Sequence, residues 1–410
     1  MAVASGMKAK GPGQASMRSL NRLQVMEALR ANGPVSRVEI GEHTGLAPAT
    51  VSEITGALLA EDLLRESRSV IAGRGRPRIM LEINADGGRV MGIKLSTHQL
   101  TLSLTDLTGQ AIAAVSLPLL PQELGIEATA DRVAAGIRRF LKEQRMAPES
   151  LSGIGAGLPG FIETGTGTGS WSPLFGDHPA SFSELLEDRL GVPVIVENDV
   201  NLVALAERWF GEGKGVDNFC VVTVEHGVGM GMFLDGRLYR GRAGMAAEFG
   251  HVRHREQGLP CRCGQLGCIE AYAADYAIVG RAAGIVDLGP LDSAQAINDA
   301  IKEVTRRAKL GDPRLRALFA EAGHALGLGI ANVVNVLTPE RVLVTGEGMR
   351  AEDLLMRPLI DTFQANTLPF LRETTPLLWH PWADEVWAQG AAALVLHERF
   401  ARSAAETPSA

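Results

Sequence analysis

At 410 residues the chain is longer than one hydrophobic core usually organises, so two or more domains are expected. With 46% apolar and 21% charged residues it is not an intrinsically disordered chain. The net charge of −7 is uneven: residues 1–80 hold eleven Lys and Arg against seven Asp and Glu, a net +4 that leaves −11 for the rest, so only the first part favours a polyanion. No run approaches eighteen consecutive apolar residues, and residues 1–16 are small, polar and glycine-rich, a tail expected to be disordered. The expectation is a cytoplasmic protein with no membrane partner. Of four cysteines, three crowd into Cys261–Cys268, which suits a reducing compartment and a metal site better than a disulfide framework.

Residues 17–85 have the pattern of a winged helix-turn-helix. Leu20, Leu23, Val25, Met26 and Leu29 recur at helical spacing, and Asn32-Gly33-Pro34 stops that helix. Ser36 stands three residues before Glu39, a capping box that predicts a second short helix to about His43. After the Thr44-Gly45-Leu46 turn, Pro48 opens a third helix with Val51, Ile54, Leu58 and Leu59 on its inner face. That leaves Ala49, Thr50, Ser52 and Glu53 exposed near its start, where a recognition helix meets base edges in the major groove. Two strand-like runs between Arg65 and Leu81 then flank the Gly73-Arg74-Gly75-Arg76-Pro77-Arg78 loop. Arg74, Arg76 and Arg78 on such an extended wing suit the minor groove and its phosphates.

From residue 86 to 400 the chain alternates strands and helices, and does so twice. Val90–Ser96, Leu100–Asp106 and Ala111–Leu117 read as strands, followed by a helix over Ala130–Gln144 and a strand at Ile154–Gly157. A second set begins with Phe219–Val224 and Gly229–Leu234 and reaches a strand at Arg341–Thr345. The expected fold is α/β, duplicated, with lobes of about 86–198 and 199–400 closing around a ligand and a short tail at 401–410.

Two constellations carry chemistry. Glu248-Phe-Gly-His251 precedes Cys261-Arg-Cys263 and Cys268-Ile-Glu270, so His251, Cys261, Cys263 and Cys268 can supply the four tetrahedral ligands of zinc, with His254 a competing ligand. A closed Cys3His set leaves no position for an activated water, so the metal would be structural and would pin the loop carrying Glu248 and Glu270. Cys220, inside an apolar strand, reads as core. The second constellation, Glu197-Asn198-Asp199-Val200-Asn201, lies between a strand and a helix, where side chains point into the crevice of an α/β fold. Its amides and carboxylates suit sugar hydroxyls, and Asn198 or Asp199 can equally serve as a helix cap.

Taken together these motifs resemble the ROK family, which joins sugar-responsive repressors with bacterial sugar kinases. The resemblance runs from about Met17 to Phe400 and points to the transcriptional-regulator branch: a winged helix-turn-helix followed by a two-lobed, actin-like, sugar-kinase-like domain. It implies that Asn198, Asp199, Glu248, His251 and Glu270 contact a sugar or sugar-phosphate effector, that His251 also ligates zinc, and that Asp199 matches the base of the kinase members. Those kinases carry an Asp-x-Gly-Gly-Thr phosphate loop where this chain has Lys94-Leu-Ser-Thr-His98, and a Gly-Thr-Gly loop where it has Glu225-His-Gly227. The resemblance therefore implies a regulator without catalysis, Asp199 being a vestige, that binds a palindromic operator in double-stranded DNA as a homodimer or homotetramer. The rival expectations are a sugar kinase that carries a DNA-binding segment and a zinc-responsive regulator.

Overall fold

The computed structural model describes residues 14–68, 78–120, 123, 125–163, 168–176, 180–380 and 384–401. The N-terminal unit consists of α1 (Gln14–Asn32), α2 (Arg37–Thr44), α3 (Pro48–Ala60) and an antiparallel pair, β1 (Leu64–Arg68) and β2 (Ile79–Ile83). This is the winged helix-turn-helix, its first helix starting three residues before the expected Met17. Ser36 and Glu39 form the capping box: the Glu39 carboxylate accepts from the Ser36 backbone N–H at 2.7 Å, and Ser36 caps the Glu39 N–H. Gly45 ends α2 at φ +70, a left-handed conformation that favours glycine. The wing residues 69–77, including Arg74 and Arg76, lie outside the described residues. Replacing Ser36 with alanine is expected to cost about 1 kcal/mol, read as a small fall in melting temperature. The Ser36 hydrogen bonds also hold the Glu39 carboxyl below its ordinary 4.5. Its contribution is thus complete above that pH and is lost as pH falls through the depressed value.

The remainder uses one strand plan twice. In the first lobe β3 (Arg89–Leu95), β4 (Gln99–Asp106) and β5 (Ala111–Pro118) form an antiparallel meander. Then come α4 (Ile126–Glu143), β6 (Gly153–Leu158), the small hairpin β7 (Phe161–Glu163) and β8 (Thr168–Trp171), α5 (Phe182–Leu190), β9 (Val194–Asn198) and α6 (Asp199–Phe210). The second lobe repeats the meander with β10 (Phe219–Val224), β11 (Val228–Leu234) and β12 (Arg237–Leu238). It continues through α7 (Glu270–Ala273), α8 (Asp275–Ala282), α9 (Ala294–Lys309), α10 (Pro313–Leu337), β13 (Arg341–Thr345), α11 (Glu352–Asn366), α12 (Pro369–Thr374), β14 (Leu377–His380) and α13 (Asp384–Ala401). The sheet orders, β5-β4-β3-β6-β9 and β12-β11-β10-β13-β14, correspond strand for strand, with the same parallel additions beside the first strand. β10 is buried at every position, as a strand covered on both faces must be. α10 is long and apolar, and its most apolar stretch is 61% buried within the second lobe's core.

The helix that ends each lobe packs against the other one. A Cβ on Gly231 of β11 would stand 2.8 Å from the Val200 carbonyl of α6, so the helix leaving the first lobe lies on the second sheet. Conversely, a Cβ on Gly92 of β3 would fall 1.7 Å from the Ala388 carbonyl of α13, and one on Gly155 of β6 2.0 Å from Ala391. The expected second lobe of 199–400 is therefore corrected at its end: α6, which begins at Asp199, lies on the second sheet, but α13 packs on β3 and β6 of the first, so residues 199–400 are not one compact unit. The sequence concealed this because residues 388 and 391–396 of α13 are apolar on every side, which signals burial without saying against what.

The same two helices reach the winged domain. Val25, Leu29, Leu58 and Leu81 share one core cluster with Trp209 of α6 and with Ala392, Leu396 and Phe400 of α13. Arg30 donates to the Trp209 carbonyl at 2.7 Å and lies over its ring, 4.8 Å from the centroid. Arg22 donates to the Phe400 carbonyl at 2.8 Å while pairing with Glu61.

Candidate effector and metal sites

The donor atoms of His251, Cys261, Cys263 and Cys268 all lie within 4.8 Å of one another, the described cluster suited to a metal. Cys263 Sγ and Cys268 Sγ are 3.7 Å apart, and Cys261 Sγ is 3.7 Å from His251 Nδ1. A tetrahedral zinc with Zn–S bonds near 2.3 Å needs neighbouring sulfurs about 3.8 Å apart, so the set fits the ion. The loop is shaped for it: the Gly264 N–H donates to the Cys261 carbonyl at 3.0 Å, and Gly264 and Gly267 both take positive φ. His254 is not in the cluster; its ring packs edge-on against Tyr272, 5.1 Å between centroids, and beside His324. Burial pushes the thiols of Cys261 and Cys268 up, the latter to about 12. Metal binding would therefore have to displace protons. Cys220 is fully buried in β10, as its apolar setting predicted.

Beside the cluster a cleft of about 710 Å³ opens between the lobes. Asn198, Asp199, Glu248, His251 and Glu270 all line it, although they come from β9, α6, the segment before the cysteines and α7. With Nδ1 of His251 turned to Cys261, Nε2 faces the Glu248 carboxylate at 4.0 Å. At that distance the carboxylate lies beside the imidazole without accepting its N–H. Ala247, immediately before Glu248, has φ +63, a strained conformation for alanine at a point where the backbone turns a side chain into the cleft. Burial pushes the Glu248 and Asp199 carboxyls up; Lys94 opposes this at Asp199 and His251 at Glu248.

Three of these side chains already hold hydrogen bonds, Asp199 by accepting from the Val200 N–H at 2.9 Å. Asn198 is the N-cap of α6: its Oδ1 accepts from Val200 N–H at 2.9 Å and Asn201 N–H at 3.3 Å, and its Nδ2 donates to the Gly160 carbonyl at 3.0 Å. The cap role weighed from the sequence thus exists alongside its place on the cleft wall. Glu270 accepts from Val228 N–H and the Tyr276 hydroxyl, both at 3.2 Å, and faces Arg262 at 3.6 Å. Sequence reasoning missed Lys94 and Glu225 as a pair: their side chains meet across the cleft at 3.4 Å, with Lys94 Nζ 4.0 Å from the centre of the Trp387 ring. It also missed Arg240, whose Nε bonds the fully buried Glu197 at 2.6 Å. The available signal was that the two loops standing where the kinases have phosphate loops carry charges of opposite sign, Lys94 and Glu225.

On the winged domain Ala49, Ser52 and Glu53 are exposed and Thr50 half-buried. Ser52 donates to its own helix at Pro48, and Glu53 faces Arg18 at 3.2 Å. Arg78 projects into solvent with its guanidinium 3.9 Å from Glu39.

A winged helix-turn-helix in one core with two matched lobes around a cleft defines a DNA-binding-type protein built on the sugar-kinase-like actin fold. The chain belongs to the ROK family: residues 90–398 match it, and residues 18–65 match a winged helix-turn-helix DNA-binding family. It is 28% identical over 379 residues to the DNA-binding transcriptional dual regulator NagC of Escherichia coli, covering 92% of this chain and 93% of that one. A ROK family transcriptional regulator described as a homologue of the E. coli MLC protein superposes with a TM-score of 0.79 at 26% identity, over 94% of this chain and 98% of the other. A ROK family glucokinase from Streptomyces griseus, solved with glucose and AMPPNP, gives 0.62 at 27% identity, over 75% of this chain and 99% of its own.

Proposed function

We propose that this chain is a sugar-responsive transcriptional regulator of repressor type, acting in the cytoplasm as a homodimer or homotetramer on a palindromic operator. The observation that carries the reading is one core uniting the winged domain with α6 and α13, the helices that also wall the cleft. The relative named as a transcriptional regulator over 92% of this chain supports the DNA-binding half. A sugar held by Asp199 and Glu248, with Asn198 and Glu270 shaping the wall, would favour one lobe closure and so one placement of the DNA domains. His251, Cys261, Cys263 and Cys268 would hold a structural zinc that fixes the loop bearing Glu248. Thr50, Ser52 and Glu53, beside Ala49, would meet base edges while Arg74, Arg76 and Arg78 meet the backbone or minor groove.

The test is a thermal-shift screen of zinc-replete protein against a panel of sugars and sugar phosphates, followed by gel shifts on DNA from upstream of its gene. One sugar is expected to raise the melting temperature and to change operator affinity. No preference for that DNA over random duplex at physiological salt would sink the reading. The glucokinase likeness supports a second one, in which Asp199 still acts as a base; ADP release on sugar addition, abolished by Asp199→Asn, would establish it.

A further inference from the structure

Lys94 is the penultimate residue of the first strand of one lobe and Glu225 follows the corresponding strand of the other, so their 3.4 Å ion pair spans the cleft. Only 7% of the Lys94 side chain and 18% of Glu225 are exposed, and the indole of Trp387 backs the ammonium. The second Glu225 oxygen faces the Glu347 N–H at 3.4 Å. We propose that the effector of this cleft is an uncharged, unphosphorylated sugar, because the Lys94–Glu225 pair fills the end of the cleft where a phosphate would otherwise be received. This inference rests on the sugar-binding reading and narrows it.

The charges around the cavity decide the matter. Apart from histidines, the described cations on the wall are Lys94 and Arg262, and each already faces a carboxylate. Arg262 lies 3.7 Å over the Tyr276 ring, faces Glu270 and bonds His226 Nε2 at 2.9 Å. Partial burial, and Arg262 beside it, hold His226 down to about 4, so it is neutral at pH 7 and accepts that bond. Asp199, Glu225, Glu248, Glu270, Asp275 and Glu347 line the same cavity. A phosphate dianion at Lys94 would compete with Glu225, whose carboxylate would stay in the same cleft as the new charge. A neutral sugar asks for the opposite: hydroxyl donors meeting carboxylate acceptors such as Asp199 and Glu248, which strengthens both partners without adding charge.

The experiment is titration calorimetry on the zinc-replete full chain with matched pairs of hexoses, N-acetylhexosamines and pentoses and their phosphate esters. One free sugar is expected to bind, with its ester weaker by about 100-fold or more. An ester that binds tighter than its parent sugar would overturn this inference and leave the sugar-binding reading standing; binding by neither kind would overturn both. Glu225→Gln removes the carboxylate charge from Lys94's partner and is expected to shift the sugar-to-ester affinity ratio at least about tenfold toward the ester. A ratio unchanged in that variant, with the fold intact by circular dichroism, would also overturn it.

Discussion

If the Cys3His cluster holds zinc as proposed, replacing Cys268 with serine is expected to abolish metal binding and lower the melting temperature of the chain by about 10 °C. The size of the effect comes from where the ligand sits. Cys261 and Cys268 are buried, and Cys268 leads directly into Ile269 and Tyr272, each 1% exposed in the second lobe's core. The Tyr272 hydroxyl also accepts from the Leu259 N–H at 3.0 Å, tying the far side of the loop to the same point. Without a dication the two remaining thiols, the new hydroxyl and the imidazole have nothing to hold them together, and the loop loses the constraint that sets Glu248 against the cleft. The check is metal content by mass spectrometry together with calorimetry. Cys220→Ala is the control, since its side chain lies in β10 away from the cluster, and it should retain one metal per chain. Full metal occupancy and an unshifted melting temperature in Cys268→Ser would refute the assignment.

Gly92→Val is expected to cost about 3 kcal/mol or more, weakening both the fold and DNA binding. The new Cβ would meet the Ala388 carbonyl at 1.7 Å and the Ala392 N–H nitrogen at 3.0 Å, both backbone atoms that no rotamer change can move. Nor can α13 retreat: on its other side a Cβ at Gly390 would be only 2.1 Å from the Leu202 carbonyl of α6. Because Phe400 and Leu396 of α13 belong to the winged domain's core, displacing the helix must loosen that domain as well. Thermal unfolding and operator affinity should therefore fall together. Gly280→Ala, in α8 with open space where a Cβ would go, should be neutral or stabilising by about 0.5 kcal/mol. Equal melting temperatures for Gly92→Val and Gly280→Ala would show that the close packing does not matter.

What could be read in the amino acids follows from how local each signal is. The strands Phe219–Val224 and Arg341–Thr345 were legible to the residue, because each is a continuous apolar run bounded by polar or turn residues. The capping box at Ser36 and Glu39 and the cysteine spacing were legible for the same reason: partners lie within a few residues of each other. His251 and His254 could not be separated by spacing alone; the side-chain directions that send one to Cys261 and the other to Tyr272 exist only once the loop is folded. Lys94 and Glu225 are 131 positions apart, and each looked like a loss from its own loop until the lobes brought them together. Asn198 shows a different limit. Cap and cleft wall call for the same residue type at the same strand-to-helix junction, and the structure has it in both places.

The exchange of α6 and α13 has a bearing on how the molecule comes into being. Synthesis delivers α13 after every other described element, yet the first lobe needs it to cover β3 and β6, and the winged domain needs it to close around Phe400. A ribosome that has made only the first three hundred residues holds a winged helix-turn-helix with part of its core missing. Making α13 and completing the winged domain's core thus become one event, and a product that stops before Asp384 would lack Leu396 and Phe400 from that core.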